Sequence, residues 1–127
     1  MSVLLWGRES KTLKKRFQRA LSPVHAQKLR VIESTLETLR LKVLAERPHI
    51  EVLVLAPRSV QELEALAGLR PLLAGLRLIL VLPEDGNSCN TVLAHQLTPR
   101  YAAPPGSDPD YLTAVLANLL QQAAGKQ

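Results

Sequence analysis

At 127 residues the chain is long enough to bury a substantial core and too short for two full domains. Its 46% hydrophobic and 21% charged residues are ordinary for a soluble globular protein, and no apolar run approaches the roughly 20 residues needed to span a bilayer. The formal charge of +5 is concentrated at the front, where Glu9 is the only acid before Glu33, against Arg8, Lys11, Lys14, Lys15, Arg16, Arg19, Lys28 and Arg30.

Ser2 to Gly7 carries Val3, Leu4, Leu5 and Trp6 and reads as a first strand closed by a glycine turn. Ser10 or Thr12 then caps a helix to about Leu21, with Leu13, Phe17, Ala20 and Leu21 inward and the cations in water. Ser22-Pro23 breaks it, and Gln27 to Glu33 is a second strand. Ser34-x-x-Glu37 has the capping-box pattern and opens a helix with Leu36, Leu39, Val43 and Leu44 inward, ending at Pro48.

Ile50 to Pro57 follows. Val52, Leu53, Val54, Leu55 and Ala56 leave no polar position, so this strand needs helices over both faces and belongs at the centre of a parallel sheet. Ser59-x-x-Glu62 is a second capping box, starting a helix with Val60, Leu63, Leu66 and Ala67 inward that Gly68 and Pro71 interrupt. Leu76 to Leu82 is the fourth strand, Glu84 to Asn87 a loop, Thr91 to Leu97 a short helix stopped by Pro99, and Arg100 to Ala103 a brief fifth strand. Ser107 or Asp108 caps a last helix with Pro109 in its first turn and Leu112, Val115, Leu116 and Leu119 inward, and the chain frays from Gln121. Five strands alternating with five helices predict an α/β fold, a doubly wound parallel sheet with helices on both faces.

In such sheets chemistry sits at the carboxyl ends of the strands, and the expected motifs are missing there. After the first strand Gly7 stands alone, without the glycine-rich dinucleotide fingerprint, and the glycines of a phosphate loop ending at Lys11-Thr12 would fall on Leu5 and Ser10. His25, His49 and His95 lie far apart with no partner at metal-ligand spacing, so neither metal nor cofactor is expected. Ser59 reads as a helix cap rather than a nucleophile, and Cys89 has no base nearby in sequence. A lone cysteine excludes an internal disulfide framework, and the start Met-Ser-Val-Leu-Leu-Trp-Gly lacks the features of a secretory signal, so a cytoplasmic protein is expected.

The strand layout, with the Tyr101 to Pro105 stretch, resembles the receiver domain of bacterial response regulators in two-component signal transduction. The resemblance covers residues 1–122 and leaves 123–127 as a tail or the start of a linker. It implies the flavodoxin-like (βα)5 arrangement. It also assigns an acid pair that holds magnesium to Trp6 and Gly7, the phosphoacceptor aspartate to Ala56, a hydroxyl residue to Pro83 and a lysine to Pro104. Every reactive position is replaced, and the first aspartate in the chain is Asp85. Tyr101 and Pro105 match, as the aromatic that reports phosphorylation and the proline that follows a cis bond.

The resemblance therefore implies a pseudo-receiver, not an enzyme, that works as a protein-interaction module in bacterial signalling. Its docking or self-association surface would be the fourth helix, fifth strand and fifth helix, with Tyr101 and Tyr111 as anchors beside Pro105. One alternative is a nucleic acid or an acidic partner held by the basic helix through Lys11, Lys14, Lys15 and Arg19, although the helix has no aromatic stacking platform. The other is a small-ligand sensor at the strand ends near Trp6, Ala56 and Pro83. No membrane partner is expected.

Overall fold

The computed structural model describes residues 2–7, 10–32, 35–83, 88–97, 99–104 and 108–124. Five strands, β1 (Ser2–Gly7), β2 (Leu29–Ile32), β3 (Ile50–Ala56), β4 (Leu78–Val81) and β5 (Tyr101–Ala103), form one all-parallel sheet in the order β2-β1-β3-β4-β5. This is the flavodoxin-like order, in which the chain steps out from β1 to β2 and then crosses back to place β3 on the other side. The expected doubly wound sheet is present, with β3 between β1 and β4 and buried along its whole length.

Seven α-helical segments cover the sheet among the described residues: α1 (Ser10–Ala20), α2 (Pro23–Ala26), α3 (Leu36–Glu46), α4 (Val60–Gly68), α5 (Arg70–Leu73), α6 (Ser88–Leu97) and α7 (Pro109–Ala124). The two beyond the expected five, α2 and α5, are single turns with Pro23 and Pro71 in their first turns. Proline stops a preceding helix by lacking an N–H, yet its fixed φ suits the start of the next, so each breaker opens a new turn.

Side chains alternate across the sheet with the strand period of two. Leu4, Trp6, Leu53, Leu55, Leu78 and Leu80 meet Leu39 and Val43 of α3, Leu63 and Leu66 of α4, Leu73 of α5 and Leu97 of α6 on one face. Val3, Leu5, Val52, Val54 and Ile79 meet Leu13 and Phe17 of α1 and Leu112, Leu116, Leu119 and Leu120 of α7 on the other.

Several local expectations shift. Ser59 caps α4 as expected, its Oγ accepting from the Glu62 N–H at 3.3 Å, while the Glu62 carboxylate reaches one residue past the cap to accept from the Arg58 N–H at 2.6 Å. For α3 the cap is Thr35, whose Oγ1 accepts from the Thr38 N–H at 3.4 Å, so the helix starts one residue after the position Ser34 would set; Ser34 lies outside the described residues. Leu44, expected inward, is 53% exposed, as is Leu41. Strands β2 and β4 are shorter than expected, and α7 stays helical to Ala124, past Gln121.

Two polar contacts between distant elements fasten the amino-terminal side of the sheet. Glu51, the one charged residue of β3, is buried and accepts from Lys28 Nζ at 2.9 Å, which replaces the hydration its carboxylate loses. The Arg47 guanidinium, in the 3-10 turn Arg47–His49 that carries Pro48 after α3, donates to the carbonyls of Leu72 and Ala74. It thereby satisfies carbonyls at the end of α5, just before Gly75 turns the chain with φ +86°.

Candidate functional site

The carboxyl edge of the sheet is closed where a receiver would carry its acids. In the β1–β3 ladder Gly7 lies directly beside Ala56. Gly7 has φ +111°, and a Cβ built on it would stand 2.0 Å from the Ala56 carbonyl oxygen. Backbone has taken the space a side chain needs, so position 7 accepts glycine for two independent reasons, its φ and this approach. Trp6, 1% exposed, turns into the face packed by α3 to α6 and fills the core there. Ala56 is 4% exposed, Pro83 is buried at the end of β4, and Pro104 is exposed after β5. The strand ends thus bring Gly7 and Ala56 side by side, with an indole and backbone in place of carboxylates. Ala56 offers no oxygen to a phosphoryl group, and Trp6 and Gly7 offer no anionic ligand for the cation that would neutralise it. Glu9 and the side chain of Cys89 lie outside the described residues.

The other face does assemble. Tyr101, half-buried on β5, and Tyr111, 55% exposed on α7, meet edge to face with ring centroids 5.6 Å apart and planes at 60°. This is the geometry the ring quadrupoles favour. Asp108 sets the start of α7 and so the position of Tyr111: its Oδ1 accepts from the Asp110 N–H at 2.9 Å, and its carbonyl accepts from the Tyr111 N–H at 3.0 Å. Val92 on α6 is 60% exposed. Pro105, and with it the Pro104–Pro105 peptide, lies outside the described residues.

Desolvation raises the Tyr101 hydroxyl above the ordinary phenol value, with further contributions from a hydrogen bond to Tyr111 and from the charge Tyr111 acquires on ionising. A tyrosine whose folded pKa is raised favours the protonated fold, so its contribution is intact below the free phenol value and is lost as pH rises through the folded one. In an alkaline titration followed by phenolate absorbance, Tyr101 should ionise above the free phenol value, and Tyr111→Phe should move it back towards that value. Tyr101 titrating at the free value in the folded protein would contradict the contact.

On α1, Leu13 and Phe17 face the core while Lys11, Lys15, Arg16 and Arg19 are exposed and Lys14 is half-buried, as the helical period requires. Arg16 stands 3.8 Å from Asp110, so the basic helix abuts the start of α7 next to the tyrosines. Sequence reasoning named each surface separately and missed that they adjoin; no local pattern links Arg16 to Asp110. Among the described residues no three of His, Cys, Asp and Glu gather at metal-binding distance, and no helix is long and apolar enough to cross a membrane.

No protein-family model matches the chain, and no curated protein matches it. A solved structure does: a Burkholderia pseudomallei protein, described provisionally as pilus assembly-related, superposes with a TM-score of 0.64 over 96% of this chain and 91% of its own, at 18% sequence identity. At that identity the likeness is one of fold: the five-stranded parallel α/β architecture derived above recurs in that protein over nearly its full length.

Proposed function

We propose that the chain is a receiver-like module that has given up phosphoryl transfer and acts, without catalysis, by docking a protein partner through α6, β5 and α7. The observation that carries this reading is the contrast between the two surfaces: Gly7 and Ala56 close the strand edge by backbone contact, while Tyr101 and the exposed Tyr111 form an edge-to-face aromatic pair. Aromatic side chains are enriched at protein interfaces, where they bury large area at low entropic cost. A cytoplasmic place in bacterial signalling or regulation fits the fold. The provisional link of the structural neighbour to pilus assembly suggests a multiprotein assembly as the setting.

The basic α1 supports a second reading, an acidic partner or nucleic acid held by Lys11, Lys15 and Arg19. For a small ligand at the strand ends, the buried Trp6 leaves no observation in favour.

The two surviving readings differ in the size of the mutational effect. A partner captured from the host should bind the Tyr101→Ala, Tyr111→Ala double variant far more weakly, since interface aromatic anchors are worth about 2 kcal/mol or more each. Charge reversal at Lys14, Lys15 and Arg19 should change mainly the association rate and its salt dependence. Affinities of the purified pair, with folding of each variant checked by thermal denaturation, decide the matter. If charge reversal abolishes binding and the tyrosine changes do not, the docking face is wrong and the basic helix is the site.

A further inference from the structure

The α6–β5 boundary holds a cavity of about 420 Å³ lined by Leu82, Ala94, His95, Pro99, Arg100, Tyr101 and Ala102. Its origin is in the sequence. Tyr101 and Ala103 pack towards α7, so the residue β5 turns to the α6 side is Ala102, whose methyl leaves the space under α6 unfilled. α6 packs instead against α4, and β5 is the edge strand, so among the described residues no further strand closes the gap from outside the sheet.

The lining divides by chemistry. Leu82, buried Ala94 and Pro99 make an apolar floor, while Arg100 and His95 are the exposed, cationic or titratable residues of the lining. Among the described residues no acid lines the cavity, and neither the Arg100 guanidinium nor the His95 ring has a hydrogen-bond or ion-pair partner. Backbone rather than side-chain contacts place Arg100: its N–H donates to the Leu78 carbonyl at 2.8 Å, which leaves the guanidinium fork available at the mouth.

We propose that this cavity binds a small organic acid, with an apolar body on Leu82, Ala94 and Ala102 and a carboxylate held by Arg100 next to His95. The volume falls within the range of small-molecule sites, roughly 300–1,000 Å³, and the pattern of apolar walls with a few convergent polar groups is theirs. A guanidinium fork matches a carboxylate with two parallel N–H···O bonds, which selects this anion over a neutral group of the same shape. The inference does not rest on the docking reading, since the cavity would take a small acid whether or not the tyrosine face meets a protein.

The test is an NMR titration of the isotope-labelled chain with 4-phenylbutyrate, its neutral amide 4-phenylbutyramide, and acetate. The expected result is saturable shifts confined to α6 and β5, with the acid binding at least tenfold more tightly than both the amide and acetate. Arg100→Gln, an exposed change, should bring the acid down to the affinity of the amide. Ala102→Leu should fill the floor and abolish the shifts; if that variant does not fold, the amide comparison and Arg100→Gln decide alone. No saturable shifts with the acid, equal affinity for acid and amide, or undiminished binding by Arg100→Gln would each overturn the proposal. Because the readout involves no protein partner, these outcomes leave the docking reading to its own experiment.

Discussion

Gly7→Ala is expected to remove most of the stability of the protein, although it adds a single methyl group. That methyl would stand 2.0 Å from the Ala56 carbonyl oxygen and 2.6 Å from its carbonyl carbon, both of them backbone atoms in the β1–β3 ladder at the middle of the sheet. No rotamer relieves the clash. β1 must move away from β3, breaking the ladder that both core faces are built on, or φ must leave +111° and redirect the chain into α1. A non-glycine residue held at such a φ costs about 1–3 kcal/mol before any clash is counted. The total should exceed about 4 kcal/mol, against the 5–15 kcal/mol by which domains of this size are stable.

The control is Gly68→Ala, at the end of α4, where a built Cβ meets nothing within 4 Å. There the change should be neutral or stabilise by up to about 1 kcal/mol, because alanine is the better helix former and loses less backbone entropy. Urea denaturation of both variants checks the pair. Equal midpoints for Gly7→Ala and the wild type would mean that the strand edge is open and has room for the acid a receiver carries there. An aspartate at position 7 meets the same Cβ clash, so the backbone path as well as the residue type excludes an acid there.

The sequence makes the sheet legible through the run from Val52 to Ala56, because a strand with no polar position needs two covered faces and therefore crossover helices. It makes the helix starts legible where one side chain caps, as at Ser59. Orientation fails where a helix is apolar on both sides: α3 carries Leu39 and Val43 inward and Leu41, Leu44 and Ala45 outward, so periodicity gives no preferred face and Leu44 is placed wrongly. Contacts between distant segments leave no local pattern at all. Arg47 reaches the carbonyl of Leu72, 25 residues away, and nothing in either segment announces it. The site divides in the same way. That Trp6, Gly7 and Ala56 carry no carboxylate is visible in the sequence, whereas the Gly7–Ala56 approach, the edge-to-face tyrosines and the space above Ala102 depend on how elements pack.

Ala56→Asp, which places a carboxylate where the resemblance to receivers puts the phosphoacceptor, should destabilise the protein without conferring phosphorylation. Position 56 is 4% exposed, beside the Gly7 backbone, and the neighbouring Trp6 is buried in the α3–α6 side of the core. Among the described residues of β1, 2–7, no cation is present to pair with such an aspartate, and an uncompensated buried charge costs about 3–5 kcal/mol. Burial should raise its folded-state pKa above the unfolded aspartate value. The penalty is therefore largest above the folded pKa, shrinks as pH falls towards the unfolded value, and vanishes below both apart from the steric cost of the larger side chain. The difference in stability between variant and wild type, measured by urea denaturation from neutral to mildly acidic pH, should narrow on acidification. A pH-independent difference would show that the carboxylate has reached water, and hence that the strand edge is more open than Trp6 and Gly7 make it. Acetyl phosphate with magnesium should leave the mass of both proteins unchanged, since the wild type has no oxygen at position 56 and the variant has no acid pair to hold the metal against the transferring group. One added phosphoryl group on the variant, removed by a treatment that cleaves acyl phosphates, would mean that a cation site survives at this edge. The same adduct on the wild type would overturn the proposal that the chain has abandoned phosphoryl transfer.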